Sequence, residues 1–325
     1  MPVLLILQIF LAQPVLAGGR TPSTPSPAAP FTAWLTGNPG DALRKPLGGF
    51  LLVGGGEDPA PAFRWFIRRA AHGDILVLRA AGADGYNSWL RGLGPVDSVE
   101  TILCHSRAAS DDPYVVQRLR EAEGIFLAGG DQWPYVSYWQ DSPIARELQA
   151  AAARGAVIGG TSAGLAVLGE FVFTARHDTI TTPEALADPG DRRMCVEPGP
   201  FRFPLLANVL TDTHFSPRDR LGRLIAFLAR LRADGLATAP RGCGVDEATA
   251  ILLEPDGRAQ VVGSGSVFLA ELAGPARCHA GLPLWVTAVG VVGLPAGSRF
   301  TWGNPLRRLG PVERLEIRSG MVIRR

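Results

Sequence analysis

Residues 156–170 read AVIGGTSAGLAVLGE, an apolar run, two glycines and then a second run of small and apolar residues. Short apolar runs with β-branched residues are typical of buried strands, so we predict a strand over 156–158 that bends at the two glycines. A helix is predicted to begin directly afterwards. Gly160 to Gly164 fit the pattern G-x-S-x-G, in which a strained strand-to-helix turn exposes a serine hydroxyl, here that of Ser162. The N–H groups at such a helix start stabilise oxyanions, although a glycine-rich turn capped by a serine gives the same pattern.

Strand and helix patterns alternate before this turn. Strands are predicted at 50–53, 74–78, 99–104 and 124–128, and helices at 59–72, 87–93, 113–123 and 144–154. Such alternation favours an α/β fold with a doubly wound, mostly parallel sheet, whose ligands bind at the carboxyl ends of the strands. Three glycine-rich turns fall at those ends, at 54–56, 129–130 and 159–160. The first does not complete the dinucleotide pattern G-x-G-x-x-G, because Pro59 occupies the third glycine position, so no nucleotide site is predicted.

The N-terminal residues predict export from the cytoplasm. Residues 1–17 are apolar, carry no charged side chain and end in Val15-Leu16-Ala17 before Gly18, which resembles a secretory signal peptide with its cleavage site. A disordered or mis-started N-terminus is the alternative. Residues 18–47 contain TPSTPSPAAP and are predicted to be a linker rich in proline and serine. We therefore expect a secreted or periplasmic protein with a catalytic α/β domain over 48–256 and a β-rich C-terminal extension over 257–325. No membrane contact is expected after processing.

Composition excludes several classes of function. The net charge of the 325 residues is +2, so neither nucleic acid nor an anionic membrane surface is an expected partner. The four cysteines form no C-x-x-C pair, and we predict no metal site and no cofactor. These cysteines are Cys104, Cys195, Cys243 and Cys278. Their pairing and the oligomeric state stay open, with a homodimer as one option.

A serine nucleophile needs a base within hydrogen-bond reach, and the chain offers five histidines. His72 and His105 lie near the ends of early helices or strands, whereas His214 follows the predicted strand at 205–210 and is surrounded by polar residues. His177 is the reserve candidate. His177 belongs to the stretch 171–203, which is rich in proline, aspartate and glycine. That stretch is predicted to be an irregular surface excursion near the site, with a lid as one role.

A helix pattern over 217–233 follows the histidine and carries Arg218, Arg220 and Arg223 at its start. Cations are electrostatically unfavourable at a helix N-terminus, so their position calls for a reason. They form either a solvated basic face or a site that binds anions and carboxylates.

Residues 241–254 predict a strand, a turn and a second strand, with Asp246 and Glu247 between the strands. Successive side chains along a strand face opposite sides. One of the two acids can therefore face the site while the other caps a turn or forms a salt bridge.

Together these features resemble the serine peptidase family of cyanophycinase and aspartyl dipeptidase, and within it they are closer to cyanophycinase. The resemblance extends over 48–254 and rests on five motifs in the family's order. They are GGGED at 54–58, GIFLAGGDQ at 124–132, GGTSAG at 159–164, DTHFSPRDRLGR at 212–223 and GCGVDEATA at 242–250. The implied fold is an α/β fold of the class I glutamine-amidotransferase-like type.

The resemblance also implies a role for each matching residue. Ser162 is the implied nucleophile, His214 the base, and Glu247 the acid that orients the histidine. The residues that match the oxyanion hole are Gly129, Gly130 and Ala163. The implied substrate-binding residues are Gln132, Asp212, Arg218, Arg220 and Arg223.

The function implied by the resemblance is that of a serine exopeptidase that hydrolyses aspartyl peptides of the β-Asp-Arg type, with a peptide or cyanophycin-like substrate. The chain departs from the family at Thr213, where glutamine is usual, and at Pro217 and Asp219, which replace a polar residue and a glycine. These departures bear on the substrate rather than on the chemistry. The alternatives are an α-aspartyl dipeptidase, an esterase-like hydrolase and an inactive peptide-binding homologue. In esterase-like enzymes the acid precedes the histidine, whereas here the best acid follows it.

Overall fold

The computed structural model describes residues 29–325, which form two mixed β-sheets with α-helices packed around them. The predicted signal peptide and residues 18–28 of the predicted linker lie outside this range. The predicted α/β class is confirmed, but the strands do not form one mostly parallel sheet. Among residues 29–325, none of the helices combines the length and the apolar character that a membrane crossing requires.

The bounds of the regular elements follow in chain order. The strands are β1 (Phe31–Gly37), β2 (Phe50–Val53), β3 (Asp74–Arg79), β4 (Ser98–Cys104), β5 (Gly124–Leu127), β6 (Val157–Thr161), β7 (Phe171–Phe173), β8 (Val196–Pro198), β9 (Val209–Asp212), β10 (Arg241–Val245), β11 (Thr249–Leu253), β12 (Arg258–Gly263), β13 (Ser266–Leu272), β14 (Ala276–Arg277), β15 (Trp285–Pro295), β16 (Arg299–Thr301), β17 (Glu313–Arg318) and β18 (Met321–Arg324). The α-helices are α1 (Ala60–Arg69), α2 (Gly85–Leu93), α3 (Pro113–Glu121), α4 (Gln132–Trp139), α5 (Pro143–Ala153), α6 (Ala163–Ala166), α7 (Thr182–Ala187) and α8 (Leu221–Ala233). Short 3-10 turns occur at Arg107–Asp111, Pro204–Leu206 and Leu306–Arg308.

The first sheet has the strand order β1-β4-β3-β5-β6-β2-β11-β12-β16. Its five consecutive strands from β4 to β2 are parallel, and the four outer strands pair antiparallel. The strands β2, β5 and β6 are buried along their whole length because helices cover both faces of the parallel region. Phe63 and Phe66 of α1 pack on one face, and Leu119 of α3 and Leu148 of α5 pack on the other.

The second sheet has the order β18-β17-β15-β13-β10-β9-β7-β8, with β14 added beside β15. Only the pairs β7–β9 and β9–β10 are parallel. Cys243 and Leu269 on one face of this sheet join the same apolar core as the first sheet, so the two sheets pack together. The other face is covered by α7 and by Leu224 and Phe227 of α8.

Two predicted irregular segments are regular in part, which corrects the sequence-based expectation. Residues 31–37 of the predicted linker form β1, which pairs with β4 and alternates in exposure along its length. The stretch 171–203 contains β7, α7 and β8, and its Phe171 and Phe173 are each only 4% exposed. Since these elements pair into the second sheet and bury apolar side chains, the segment is a structural part of the core and not a surface lid.

Three smaller differences concern the C-terminal half. The strand predicted at 205–210 is β9, four residues later, and the helix predicted from residue 217 begins at Leu221. Strands of the predicted extension 257–325 extend both sheets, because β12 pairs with β11 and β13 pairs with β10.

All four cysteines are free thiols.

The two sheets meet where the functional residues lie. The carboxyl ends of β2, β5 and β6 in the first sheet approach the carboxyl ends of β9 and β10 in the second. The turn after β10 then crosses from the second sheet to β11 of the first. Side chains from both sheets therefore converge at this edge.

Candidate active site

The turn between β6 and α6 holds Ser162 in an unusual conformation. Its φ is +52° and its ψ is −118°, a combination that costs of order 1–3 kcal/mol for a residue other than glycine. The neighbouring positions have no room for a side chain. A Cβ at Gly160 would lie 2.6 Å from the carbonyl carbon of Gly164, and a Cβ at Gly164 would lie 2.0 Å from the Leu127 oxygen. The glycines of the G-x-S-x-G pattern are therefore required by close packing of the turn.

Three side chains form one hydrogen-bonded chain across the two sheets. Ser162 Oγ lies 2.7 Å from Nε2 of His214, and Nδ1 of His214 lies 2.5 Å from Oε1 of Glu247. The histidine follows β9, and its main-chain N–H donates to the Gly54 carbonyl at 2.8 Å. Gly55 must lack a side chain, because a Cβ there would approach the His214 ring to 2.5 Å. A serine hydroxyl, an imidazole and a carboxylate in this order can activate the hydroxyl as a nucleophile.

The surroundings of His214 favour its neutral form. Burial lowers the pKa of His214 from its ordinary value of 6.5, and the hydrogen bond to Glu247 opposes that change. The positive charges of Arg218 and Arg220 lower the pKa of His214 further. The imidazole is therefore unprotonated on Nε2 at neutral pH, which is the state in which it can accept the serine proton.

Asp246 and Glu247 have different partners, as predicted, although both lie in the turn between β10 and β11 and not in a strand. Oδ1 of Asp246 accepts a hydrogen bond from the Ser216 main-chain N–H at 2.8 Å, and Oδ2 accepts one from that of Ser266 at 3.0 Å. Asp246 is 8% exposed, whereas the Glu247 side chain is 39% exposed. Asp246 thus ties two loops together, and Glu247 is the acid that contacts the histidine.

The residues predicted for an oxyanion hole surround the serine. A Cβ at Gly129 would lie 3.4 Å from Cβ of Ser162, so the loop after β5 passes directly over the nucleophile turn. Gly130 and Ala163 line the same cavity as Ser162. The loop after β5 and the start of α6 therefore both border the nucleophile turn.

The cavity above Ser162 has a volume of about 460 Å³. The sequence-predicted residues that line it are Gly130, Gln132, Ser162, Ala163, Asp212, His214, Arg218, Arg220 and Arg223. Phe173, Arg176 and Thr179 also line it, although they fall in the stretch predicted to be irregular. The short apolar run Phe171–Phe173 is a sequence signal for a strand in this stretch, although it does not indicate where that strand pairs.

A buried ion cluster forms the floor of this cavity. Arg223 donates from Nε and Nη2 to the two carboxylate oxygens of Asp212, at 2.8 and 2.6 Å, and the two residues are 3% and 4% exposed. The guanidinium of Arg223 also stacks on the rings of Phe173 and Phe227. Nη1 of Arg220 lies 3.4 Å from the same carboxylate. The negative charge of Asp212 is therefore already balanced by its ion pairs with Arg223 and Arg220.

Two cations of the cavity keep free donors. Arg220 donates from Nη1 to the Thr213 carbonyl at 2.7 Å, while its Nε and Nη2 have no hydrogen-bond partner within residues 29–325. Burial lowers the pKa of Arg220 to about 10, so its guanidinium is charged at neutral pH. Arg218 is exposed and its side chain makes no hydrogen bond to the described residues. These arginines can receive a carboxylate from a ligand.

The remaining predicted residues occupy different surroundings. Gln132 begins α4, and its Nε2 donates to the Phe173 carbonyl at 3.2 Å, which links the two sheets across the cavity. Thr213 is buried, and its main-chain N–H donates a hydrogen bond to Asp212 Oδ1 at 2.9 Å. The reserve histidine, His177, is exposed and does not line the cavity.

Comparison with known proteins adds the following findings. A model of peptidase family S51 matches residues 90–190. The chain is 31% identical over 233 residues to a cyanophycinase of Synechococcus elongatus, a match that covers 68% of this chain and 67% of that protein. It is 30% identical over 267 residues to a cyanophycinase of a Nostoc species, covering 77% of this chain and 84% of that protein. A crystal structure of a peptidase from an acI-B1 actinobacterium superposes with a TM-score of 0.54 at 20% identity, covering 79% of this chain and 98% of the other, which shows a shared fold.

Proposed function

Because this chain belongs to peptidase family S51 and is a serine peptidase, we propose that Ser162 is its nucleophile, His214 its general base and Glu247 the acid that orients the base. The observation that carries the proposal is the hydrogen-bonded chain from Ser162 Oγ through the imidazole to the Glu247 carboxylate. The strained turn at the serine supports it, since such strain persists where function needs it.

In the proposed reaction, Ser162 Oγ attacks the peptide carbonyl while Nε2 of His214 takes the hydroxyl proton. The Glu247 carboxylate keeps the other ring proton on Nδ1 and stabilises the imidazolium. Main-chain N–H groups of the Gly129–Gly130 loop and of Ala163 are the proposed donors to the oxyanion. The imidazolium then protonates the leaving amine as the peptide bond breaks. Water next gives a proton to Nε2 and attacks the acyl carbon, and the imidazolium returns that proton to Ser162 Oγ as the ester bond breaks.

The proposed substrate is an aspartyl peptide of the β-Asp-Arg type, with cyanophycin as the first candidate. Support comes from the free donors of Arg220 and Arg218, which can bind a substrate carboxylate, and from the two cyanophycinases to which the chain is similar. Charged contacts of this kind discriminate well, because a wrong substrate leaves buried charges unpaired. Asp212 is assigned a different role from direct binding: its carboxylate holds Arg223 and Arg220 in place.

Two further parts of the proposal concern the setting of the enzyme. The five parallel strands with helices on both faces support a glutamine-amidotransferase-like class for the first sheet.

The apolar residues 1–17 support export, so the mature protein is proposed to start near Gly18 and to act outside the cytoplasm. N-terminal sequencing of the protein from its native host tests this, and an intact Met1 contradicts it.

The nucleophile assignment is tested by Ser162→Ala and by labelling with a fluorophosphonate. We expect labelling of the wild-type protein at Ser162 alone and no labelling of the variant. Peptide hydrolysis should fall by several orders of magnitude, as is usual for a lost triad serine, while the circular dichroism spectrum stays unchanged. Residual hydrolysis above about 1% would show that another group is the nucleophile.

The substrate assignment is tested separately with insoluble cyanophycin and with peptides that contain β-Asp-Arg, β-Asp-Lys or α-Asp bonds. Products are identified by mass spectrometry. Release of β-Asp-Arg dipeptides supports the proposal. Cleavage of α-Asp dipeptides alone assigns the protein to the dipeptidase type, and ester cleavage without peptide cleavage favours an esterase.

A further inference from the structure

The Asp58 carboxylate lies behind the turn that carries Ser162, outside the cavity above the serine. Its Oδ1 accepts a hydrogen bond from Thr161 Oγ1 at 3.1 Å, and its Oδ2 accepts one from the Tyr86 hydroxyl at 2.5 Å. Thr161 ends β6 and directly precedes Ser162, whereas Tyr86 lies in the first turn of α2. A bridge of three side chains thus connects helix α2 to the nucleophile turn.

Main-chain hydrogen bonds connect Thr161 and Ser162 to β2. Thr161 pairs with Val53 of β2, and the Ser162 N–H donates to the Val53 carbonyl at 3.2 Å. The Thr161 side chain supplies a different restraint, because a β-branched side chain is stiff about χ1. A hydrogen bond on Oγ1 therefore limits rotation of the main chain at the residue before the strained serine. Thr161 is 5% exposed, so water cannot readily replace its acceptor.

Asp58 is an unusual acceptor for this purpose. Burial raises the pKa of Asp58, and the hydrogen bonds from Tyr86 and Thr161 oppose that change. Both of its hydrogen bonds come from neutral hydroxyl groups and not from a cation. A half-buried carboxylate is costly without donors, so it holds the two hydroxyls firmly and each donor is strongly oriented.

We propose that Asp58 and Thr161 are positioning residues of the peptidase: the Asp58 carboxylate fixes Thr161 Oγ1 and thereby holds Ser162 in the conformation that directs its Oγ to His214. This inference rests on the proposed function. Neither residue lines the cavity, so loss of their contact should reduce turnover and leave substrate binding unchanged.

The direct test compares Thr161→Val, which removes the hydroxyl at nearly constant volume, with Thr161→Ser, which keeps it. A hydrogen bond to a charged acceptor is worth about tenfold to a hundredfold in an equilibrium or rate. We expect the valine variant to lose about that much in kcat with KM within about twofold, and the serine variant to keep kcat within about threefold.

A matched control is Thr101→Val. Thr101 is fully buried on β4 of the same sheet, and its Oγ1 donates to Oδ1 of Asn87 on α2 at 2.7 Å. This variant therefore also loses a buried hydrogen bond from a threonine hydroxyl to a side-chain oxygen, but away from the serine. We expect a lower unfolding temperature for this variant and an unchanged kcat. Equal losses of kcat in the Thr101 and Thr161 valine variants would overturn the proposal.

The role of the carboxylate is tested by Asp58→Asn, alone and combined with Thr161→Val. If both residues act through one hydrogen bond, the double variant is no slower than the slower single variant, within about threefold. Two losses of kcat that multiply would contradict the proposed coupling.

A readout independent of catalysis separates this inference from the proposed function. Amide hydrogen exchange of the peptide spanning 157–166 should become about tenfold faster in Thr161→Val and not in Thr161→Ser. If the wild-type protein is not labelled by the fluorophosphonate but exchange responds in this way, the proposed function fails and the positioning of the turn stands. If exchange in the valine variant matches the wild type, the positioning role is refuted, whatever the activity.

Discussion

Replacing Glu247 by glutamine removes the negative charge that faces His214 and keeps the size of the side chain. The contact to Nδ1 is 2.5 Å, so the substituted amide occupies the same place. Its NH2 group can then donate to Nδ1 and select the tautomer whose proton is on Nε2, where the serine proton must go. An acid in this position is worth about 10⁴ in kcat when it is buried. Since the Glu247 side chain is 39% exposed and solvent screens part of its charge, we expect a loss of about 10³.

The matched control is Asp246→Asn. Asp246 holds two main-chain N–H groups with its two oxygens, so the amide loses one of these bonds. We expect the free energy of unfolding to fall by about 1–3 kcal/mol and kcat to change by less than about threefold. Rates are measured on whichever peptide the wild-type protein cleaves, and stability by urea unfolding. A larger loss of kcat in Asp246→Asn than in Glu247→Gln would refute the assignment of the two acids.

The pH dependence of kcat/KM tests the contact between His214 and Glu247 independently, through the direction in which the pKa of His214 changes. Burial holds the pKa of His214 below 6.5, so the acid limb of kcat/KM for the wild-type enzyme should lie below pH 6.5. The hydrogen bond to Glu247 raises that pKa. Its loss therefore lowers the pKa further, and the limb of Glu247→Gln should move to lower pH. A limb displaced to higher pH in the variant is incompatible with this electrostatic account.

Three further predictions concern the cavity. Asp212→Asn leaves the charge of the buried Arg223 uncompensated and should lower the free energy of unfolding by about 3–5 kcal/mol, or Tm by roughly 6–20 °C as measured by calorimetry. The control Arg218→Gln, at an exposed position, should change Tm by less than about 2 °C, and equal changes in Tm would contradict the buried cluster. Arg220→Lys removes a planar donor pair and should raise KM for a carboxylate-bearing peptide by about tenfold or more; an unchanged KM would exclude Arg220 from substrate binding. His177→Asn should leave kcat/KM within about twofold, because His177 is exposed outside the cavity, and a large loss would return it to consideration as the base.

The sequence was most informative where local chemistry determines structure. The strands before Ser162 were predictable because parallel strands covered on both faces read as short apolar runs, as in Phe50–Val53. The serine turn was predictable because only glycine fits at positions 160 and 164. His105 also follows a strand, so His214 was identified among the five histidines by its polar surroundings after a strand and by the family resemblance. The structure brings His214 to the serine.

Long-range pairing was what the sequence could not predict. Nothing local in Phe171–Phe173 indicates that it pairs in parallel with β9. The stretch 171–203 is therefore predicted near the site but irregular, and its place in the second sheet is not predicted. The second sheet was likewise not predicted as one unit, because its strands come from distant parts of the chain. The pairing of Asp212 with Arg223, eleven residues apart, depends on how α8 packs on that sheet and not on either residue alone.

The position of the site between two sheets has a mechanical consequence. Ser162 is carried by one sheet and His214 by the other, and each sheet can keep its own hydrogen bonds while the spacing between them changes. A relative slide of about one ångström would leave the secondary structure intact and break the 2.7 Å contact between hydroxyl and imidazole. Reactivity therefore reports the packing between the sheets, which is controlled by buried residues such as Val245 and Leu269. Substitutions in this layer, far from any substrate, can therefore change turnover by altering the distance between Ser162 and His214.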